Sequence, residues 1–364
     1  MPKTDPITEI LTRGVEEVIV KKELEELLRS GKKITLYLGI DPTGSLLHLG
    51  HAIALRKLRD FLYLGHHVIF LIGSFTALIG DTSDKDSLRV PLTPEQIEAN
   101  FKTYKTQASK ILDFSKIELK YNGEWLSKLN FKDILGLANR FTVQQMIERE
   151  MYRKRIKEGK PIGLHEFLYP LMQGYDSVAM DVDLEVGGND QLFNMLAGRT
   201  LQKVLRNRNK HVLTVKLLEG TDGRKMAKTY GNVINIADEP QEQYGRVMSM
   251  KDELILQYFE LCTDVPIHEI EEIKHALKAG ENPKNAKMRL AREIVAFYHG
   301  KDAGAGAEKE FIKTSKSDAR RLIEGGGVSI GEKRAADPKI EIKLGKKPIL
   351  IKVGKRHFLK VKTK

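Results

Sequence analysis

Cysteine is almost missing from this 364-residue chain, where Cys262 stands alone. One thiol excludes an intramolecular disulfide and a cysteine-built metal cluster, and it fits a reducing compartment. The opening residues, Met1 to Ile10, hold Asp, Glu and Pro with no apolar run behind them, so no secretory signal is expected. Long hydrophobic runs are absent too. The most apolar stretch, Val68 to Ile79, is too short to cross a bilayer and reads as a buried strand leading into a loop. No internal repeat and no long low-complexity tract is present.

What the chain does have is 41% apolar residues, enough for a substantial core, and a length that predicts two or three domains. Its charge is unevenly spread. Residues 313–364 carry 16 Lys or Arg against 5 Asp or Glu, so +11 of the formal +12 lies in that segment and the rest is nearly neutral. A neutral body with a basic end is the asymmetry of a catalytic unit joined to a binder of nucleic acid or an anionic surface; a merely solvated tail gives the same count.

From about residue 34, short apolar runs (Ile34 to Ile40, Val68 to Ile72, Val212 to Leu218) alternate with longer stretches of helical periodicity. That is the pattern of a parallel sheet covered by helices, so an α/β domain is predicted. Thr93-Pro94-Glu95-Gln96 supplies an N-cap, a proline at the first helical position and a glutamine three on, which predicts a helix running toward Leu112. Asn282-Pro283 opens another, with Leu290, Ile294, Phe297 and Tyr298 on one face and Gly300 as its cap. Residues 240–299 hold several such helices and no convincing strand. Gly300 to Ala307 is Gly/Ala-rich and reads as a linker. Beyond it, a helix at Asp318 to Glu324 and short alternating runs at Ile349 to Val353 and Phe358 to Val361 predict a compact α+β module.

Two clusters carry chemistry. Tyr37 to Thr43 reads as a strand end and turn, followed by His48-Leu49-Gly50-His51 at a helix start. Free N–H groups and the positive dipole end attract phosphate there, and imidazoles beside them add donors. A surface pair or a metal pair of histidines has the same spacing, although a metal site would want a further ligand nearby. The second cluster, Asp222-Gly223-Arg224-Lys225-Met226-Ala227-Lys228-Thr229, is a glycine-flanked basic loop able to offset charge on a leaving pyrophosphate. Taken by itself, such a loop is more often just solvated.

As a pair, the two clusters resemble the HIGH and KMSKS signatures of class I aminoacyl-tRNA synthetases. Within that class the chain is most similar to the tyrosyl group, bacterial type. The resemblance covers nearly the whole length, through Gly73 to Asp81, His165 to Asp176 and Gly187-Gly188-Asn189-Asp190-Gln191. The C-terminal module resembles a small RNA-binding domain shared with a ribosomal small-subunit protein, through Ser317 to Ile323 and Gly326-Gly327-Val328.

The resemblance implies a Rossmann-like catalytic domain over residues 1–235 with a dimer-interface insertion at about 95–160. A small all-α anticodon-recognition domain over 236–300 and an α+β RNA-binding domain over 313–364 would follow. It implies activation of tyrosine by ATP, as its magnesium complex, to the adenylate, and then transfer to the cognate tRNA. A cytoplasmic homodimer, no membrane association and no protein-bound metal go with it. His48, His51 and Thr43 are the implied phosphate contacts, with Lys225, Lys228 and Thr229 closing over the pyrophosphate. Gly39, Asp41, Gly50, Gly188, Asp190 and Lys228 are implied on the ATP side. Tyrosine would meet Tyr37 and Asp176 at its hydroxyl, Asp81, Tyr169 and Gln173 at its ammonium group, and Gln191 at its carboxylate. Tyr169, Gln173 and Asp176 fall at intervals of four and three, so one helix face presents all three. Arg320, Arg321, Lys333 and Arg334 are the candidate RNA contacts.

Some positions depart from the family pattern. Ala227 and Thr229 stand where KMSKS has serines, and Leu192-Phe193 replaces the Trp-Gly of one bacterial subgroup. Two rivals remain at this stage. The tryptophanyl group shares the signatures but lacks the C-terminal module and has no use for a carboxylate facing a phenol. A non-catalytic RNA-binding scaffold would show salt-sensitive RNA binding without ATP turnover.

Overall fold

The structure, a computed structural model, describes residues 5–81, 92–314, 316–335, 337–338, 340, 342, 348–354 and 357–361. The chain divides into two packed units, one of residues 1–238 with 249–286 and one of residues 239–248 with 287–364. The helical stretch expected at 236–300 is thus shared between them.

The first unit is built on a six-stranded sheet. Its strands are β1 (Val15–Ile19), β2 (Thr35–Ile40), β3 (His67–Ile72), β4 (Glu118–Tyr121), β5 (Leu184–Gly188) and β6 (His211–Val215). The order is β1-β6-β5-β2-β3-β4, parallel throughout except for β1, which runs antiparallel to β6 at one edge. The apolar run of β3 and the burial of every residue of β6 follow from cover on both faces, as in parallel sheets flanked by helices. Sequence reading anticipates β2, β3 and β6 but not β1, β4 or β5. In β5 the apolar run is broken by Glu185, a charge that lies buried in the folded chain because it has a partner.

Strand order reverses between β2 and β5, the position where open α/β sheets bind ligands. These two strands pair only at Leu36 with Leu184 and Tyr37 with Glu185, whereas β2 and β3 pair from Thr35 through Ile40. Beyond Tyr37 and Glu185 the carboxyl ends of β2 and β5 part, and the gap opens there.

The helices at this gap are set by local chemistry. The Leu49–Tyr63 helix follows β2 and buries Ile53, Leu55, Leu58 and Phe61. The Leu164–Met180 helix carries the Tyr169 to Asp176 face and packs closely on the Leu192–Arg206 helix. Gly174 makes that approach possible, since a Cβ there would stand 3.0 Å from the Gly198 backbone nitrogen. The Pro94–Ala108 helix starts as predicted, with Thr93 accepting from the Gln96 N–H in a reciprocal capping box, and ends at Ala108, a turn short of Leu112. Residues 118–126, within the segment expected to be an insertion, supply edge strand β4 and the Gly123–Leu126 turn of helix.

In the second unit, a four-stranded antiparallel sheet is formed by β7 (Val328–Ile330), β8 (Lys333–Arg334), β9 (Ile349–Val353) and β10 (His357–Val361), in the order β10-β9-β7-β8. The helix expected at Asp318 spans Lys316–Glu324. The predicted linker is overturned, because residues 301–314 form one helix. Alanines 303, 305 and 307 favour helix, and Gly304 lets it approach the Pro283–His299 helix, whose Arg292 carbonyl would lie 2.9 Å from a Cβ at that position. The chain break is confined to Gly300, at φ +92°. Among the described residues no helix is long and apolar enough to cross a membrane.

Candidate active site

A cleft of about 340 Å³ occupies the gap between β2 and β5. Its wall includes Gly39, Asp41, Thr43, His48, Gly50, His51, Asp81, Tyr169, Gln173, Asp176, Gly188, Asp190, Gln191 and Lys225. Fourteen of the residues singled out from sequence are therefore brought together from segments up to 186 positions apart. Tyr37 is not in the wall; it is fully buried behind it, in a cluster with Ile69, Leu71 and Val182. Thr229 is exposed and also outside the wall, and the side chain of Lys228 lies outside the described residues. Arg320, Arg321, Lys333 and Arg334 belong to the second unit, where all four are exposed.

The histidine cluster sits where the sequence puts it. His48 is the extended residue preceding the helix, its N–H donates to His51 Nδ1 at 3.2 Å, and the two rings lie against one another with centroids 3.8 Å apart and planes tilted by 39°. Gly50 keeps this corner open, since a Cβ there would stand 3.0 Å from the His48 ring. The basic loop is anchored against the same corner. The Leu49 N–H donates to the Ile234 carbonyl and the Ile236 N–H to the Leu47 carbonyl, both at 2.9 Å. The chain that follows the basic loop is therefore joined to the histidine segment by backbone hydrogen bonds, and Lys225 and Met226 of the loop reach the cleft.

Asn232, which is buried, holds the loop in shape. Its Oδ1 accepts from the Ala227 N–H at 2.9 Å, and its Nδ2 donates to Asp222 Oδ1 at 2.8 Å and to the Lys225 carbonyl at 3.1 Å. The Asn232 Nδ2 bond, with that from the Arg224 N–H, holds the Asp222 carboxyl well below the usual range. Gly223, at φ +79°, takes the left-handed turn that a side chain disfavours. Arg224 lies over the Tyr230 ring, 4.5 Å from its centroid.

At the far end of the cleft, two hydrogen-bond chains meet. In the first, Tyr169 donates to Asp41 Oδ2 (2.8 Å), Thr76 donates to Asp41 Oδ1 (2.7 Å), and Asn122 Nδ2 donates to Thr76 Oγ1 (2.9 Å) and to Asp176 Oδ2 (3.2 Å). Trp125 Nε1 donates to Asp176 Oδ1 at 2.7 Å. Asp176 is buried and its donors among the described residues are neutral; burial pushes its carboxyl well above the usual range despite these bonds. Burial, with Asp41 and Asp81 nearby, likewise raises the Tyr169 phenol.

The second chain runs from Asp81 to Lys210. Gln191 Nε2 donates to Asp81 (2.7 Å), Asn194 Nδ2 to both Gln191 Oε1 (3.1 Å) and Gln173 Oε1 (3.0 Å), and Gln173 Nε2 to Glu185 Oε1 (3.1 Å). Glu185 pairs with Lys210, and both are buried. Burial pulls the Lys210 amine below its ordinary value, against the opposing pull of Glu185. Lys210 also donates to Ser177 Oγ, which lies 2.9 Å from the Tyr37 hydroxyl.

Sequence reasoning missed Thr76, Asn122, Trp125, Ser177, Glu185, Asn194 and Lys210. Ser177 directly follows Asp176, and Trp125 is the sole tryptophan, which were usable signals. Nothing local marks Asn122, Asn194 or Lys210, whose roles exist only once the strands are paired.

The arrangement combines a helix N-terminus with two histidines, a basic loop held beside it, and a polar pocket ending in a buried carboxylate. It suits an anionic, phosphate-bearing substrate next to a smaller one carrying a cation and a hydroxyl. A family model described as class I tRNA synthetases (W and Y) matches residues 29–316. The tyrosine--tRNA ligase of Carboxydothermus hydrogenoformans is 44% identical, over 97% of this chain and 97% of its own. That of Thermotoga maritima is 43% identical, over 97% and 96%. Among solved structures, a tyrosyl-tRNA synthetase from Archaeoglobus fulgidus, complexed with L-tyrosine, superposes with a TM-score of 0.68 at 23% identity, covering 85% of this chain and all of that one. A truncated mitochondrial tyrosyl-tRNA synthetase from Aspergillus nidulans gives 0.69, also at 23% identity, over 85% of this chain and 94% of its own. Both likenesses show the fold.

Proposed function

Since the chain belongs to the class I tRNA synthetases for tryptophan and tyrosine, we propose that its cleft is the place where tyrosine and ATP react, with Asp176 as the group that selects tyrosine. The activity is that of a tyrosine--tRNA ligase: tyrosine and ATP give tyrosyl-adenylate and pyrophosphate, and the tyrosyl group then passes to the 3′ end of tRNA.

The first step needs no general base, because the attacking carboxylate is already ionised. It displaces pyrophosphate from the α-phosphorus, so catalysis consists of alignment and of stabilising charge as it builds on the phosphate oxygens. His48 and His51, with the free amides of the helix they open and with Thr43, meet the phosphates of ATP, which enters as its magnesium complex. Lys225, with Lys228 and Thr229, closes over the leaving pyrophosphate. Gly39, Asp41, Gly50, Gly188 and Asp190 line the nucleoside side, with Asp190 accepting from ribose hydroxyls. Asp81, Tyr169 and Gln173 take the ammonium group and Gln191 the carboxylate of tyrosine, while the phenol reaches Asp176, with Tyr37 behind it.

The observation that carries this reading is the state of Asp176. A buried carboxylate held by Trp125 and Asn122 keeps acceptor capacity toward the cleft. Tyrosine fills it with a hydroxyl donor, whereas phenylalanine leaves it unpaired; this enzyme family is the standard illustration of that kind of discrimination.

Two partner readings accompany the chemistry. Phe131 (75% exposed), Val143 (67%) and Leu164 (84%) present large apolar side chains within residues 131–164, which supports a homodimer through this segment. The exposed Arg320, Arg321, Lys333 and Arg334 of the basic second unit support phosphate contacts to the cognate tRNA. Because that tRNA is used in translation, the reading carries a cytoplasmic location with it.

The test is ATP–pyrophosphate exchange with tyrosine, phenylalanine and tryptophan. Exchange driven by tyrosine alone is the expected result; exchange with none of the three overturns the catalytic reading.

A further inference from the structure

At the amino-acid end of the cleft lies a buried ion pair to which the steps above give no role: Glu185 reaches the cleft wall, and Lys210 lies behind it. Lys210, at the entry to β6, and Glu185, in β5, are both shielded from solvent. Bringing two charges out of water costs about as much as their attraction returns, so stability is a weak reason for such a pair. Direction is a better one. A carboxylate only accepts hydrogen bonds, whereas an amide has a donor end and an acceptor end that are nearly the same size.

Glu185 therefore decides which way Gln173 lies. The Nε2 of Gln173 turns to Glu185 Oε1 and its Oε1 turns to Asn194. Asn194 Nδ2 donates onward to Gln191 Oε1, which leaves Gln191 Nε2 for Asp81. On the other side, Lys210 donates to Ser177 Oγ, the neighbour of the Tyr37 hydroxyl. Gly198 makes room for this, since a Cβ there would stand 2.5 Å from Lys210 Nζ and 2.8 Å from Ser177 Oγ.

We propose that Lys210 and Glu185 are positioning residues for amino-acid recognition, a hub that fixes the amide directions of Gln173 and Gln191 and, through Ser177, the hydroxyl of Tyr37. The proposal rests on the reading that this end of the cleft seats tyrosine. Lys210 touches no substrate; it acts through side chains that do. The ATP end of the cleft, around His48 and Lys225, lies outside both branches of the hub.

The test is a double variant, Glu185→Leu with Lys210→Met, because replacing both partners of a buried pair by apolar groups of similar volume is often neutral for folding. Ser177→Ala, which keeps the ion pair, and Asp176→Ala are measured beside it. ATP–pyrophosphate exchange is followed with tyrosine varied at saturating ATP and the reverse, together with thermal melting. The expected result is a double variant that melts within a few degrees of the parent, with KM for tyrosine raised about tenfold or more and KM for ATP within about twofold. Ser177→Ala should raise KM for tyrosine by about threefold.

An unchanged tyrosine KM in the double variant makes the pair merely structural and overturns the proposal. Should the double variant fail to fold, an unchanged tyrosine KM in Ser177→Ala overturns it instead. If Asp176→Ala also leaves the tyrosine KM unchanged, the seat itself is wrong. If Asp176→Ala shifts it and the other variants do not, only the hub fails.

Discussion

Tyr37 and Glu185 face one another across β2 and β5 as the last matched residues before the two strands part. In front of them the backbones separate to form the cleft; behind them the sheet is continuous with β3 and β6. The pair therefore sits at the floor of the site, and both side chains are drawn into the polar cluster around Ser177 and Lys210. Burial, together with the Glu185 and Asp176 charges, pushes the Tyr37 phenol well above its ordinary value, so it remains a neutral donor or acceptor at any working pH.

Asp176 should set selectivity and little else. Asp176→Ala is expected to lower kcat/KM for tyrosine by about two orders of magnitude or more while leaving that for phenylalanine within about tenfold, since Trp125 and Asn122 lose an acceptor with either substrate and only tyrosine brings a hydroxyl that loses one as well. Exchange assays with the two amino acids read the ratio directly. A variant that still prefers tyrosine as strongly as the parent would remove Asp176 from the phenol end.

Lys225 is expected to act on the leaving pyrophosphate and not on the amino acid. Lys225→Ala should reduce kcat for exchange by roughly 10²- to 10³-fold, the usual range for removing one group that stabilises transition-state charge, with KM for tyrosine unchanged. Asn232→Ala probes the same loop indirectly. It deletes three hydrogen bonds that shape residues 222–227, so kcat should fall by about tenfold even though Asn232 itself is outside the cleft wall. A tyrosine KM that rises in either variant would show that the loop serves the other substrate.

The pattern of these residues explains what sequence alone discloses. Strands β2, β3 and β6 are legible because burial on both faces leaves each of them mostly apolar. The two signature segments are legible because each is a contiguous motif. β5 is hidden by Glu185, whose compensating charge lies 25 positions away at Lys210. Asn122 and Trp125 lie in a segment with no motif of its own, and they acquire meaning when β4 docks at the sheet edge and brings them to Asp176. The Gly/Ala run at 300–307 misleads for a related reason. Glycine there serves close helix packing at Gly304, which a composition count cannot tell from flexibility.

Cys262 offers a test of the core. It is buried in the Ile255–Cys262 helix, and burial pushes its thiol from 9.0 up to about 12. The native protein should therefore resist a disulfide exchange reagent at pH 8, and the unfolded chain should react with one equivalent. The linkage has a definite sign. A folded value above the unfolded one gives stability that is whole below pH 9 and lost as pH rises toward 12. By pH 10.5 the loss is about 2 kcal/mol, and Cys262→Ala should not suffer it. Denaturant melts of parent and variant at pH 8 and 10.5 measure the difference; parallel shifts would mean that the thiol titrates as though exposed.

The arginines of the second unit make a separable prediction, because RNA binding and amino-acid activation draw on different chemistry. Arg320 is exposed and pairs with Glu324 at 3.2 Å, and such a surface pair is readily exchanged for a phosphate. Arg320→Ala with Arg321→Ala should leave exchange with tyrosine and ATP within about twofold of the parent and raise KM for tRNA in aminoacylation. Each phosphate contact releases condensed counterions, so the logarithm of RNA affinity falls with the logarithm of salt concentration by about 0.7 to 0.9 per contact. Removing two arginines should flatten that slope by roughly 1.4 to 1.8. A weakened affinity with an unchanged slope would assign the two residues to folding of the module, and an unchanged affinity would move the RNA surface elsewhere.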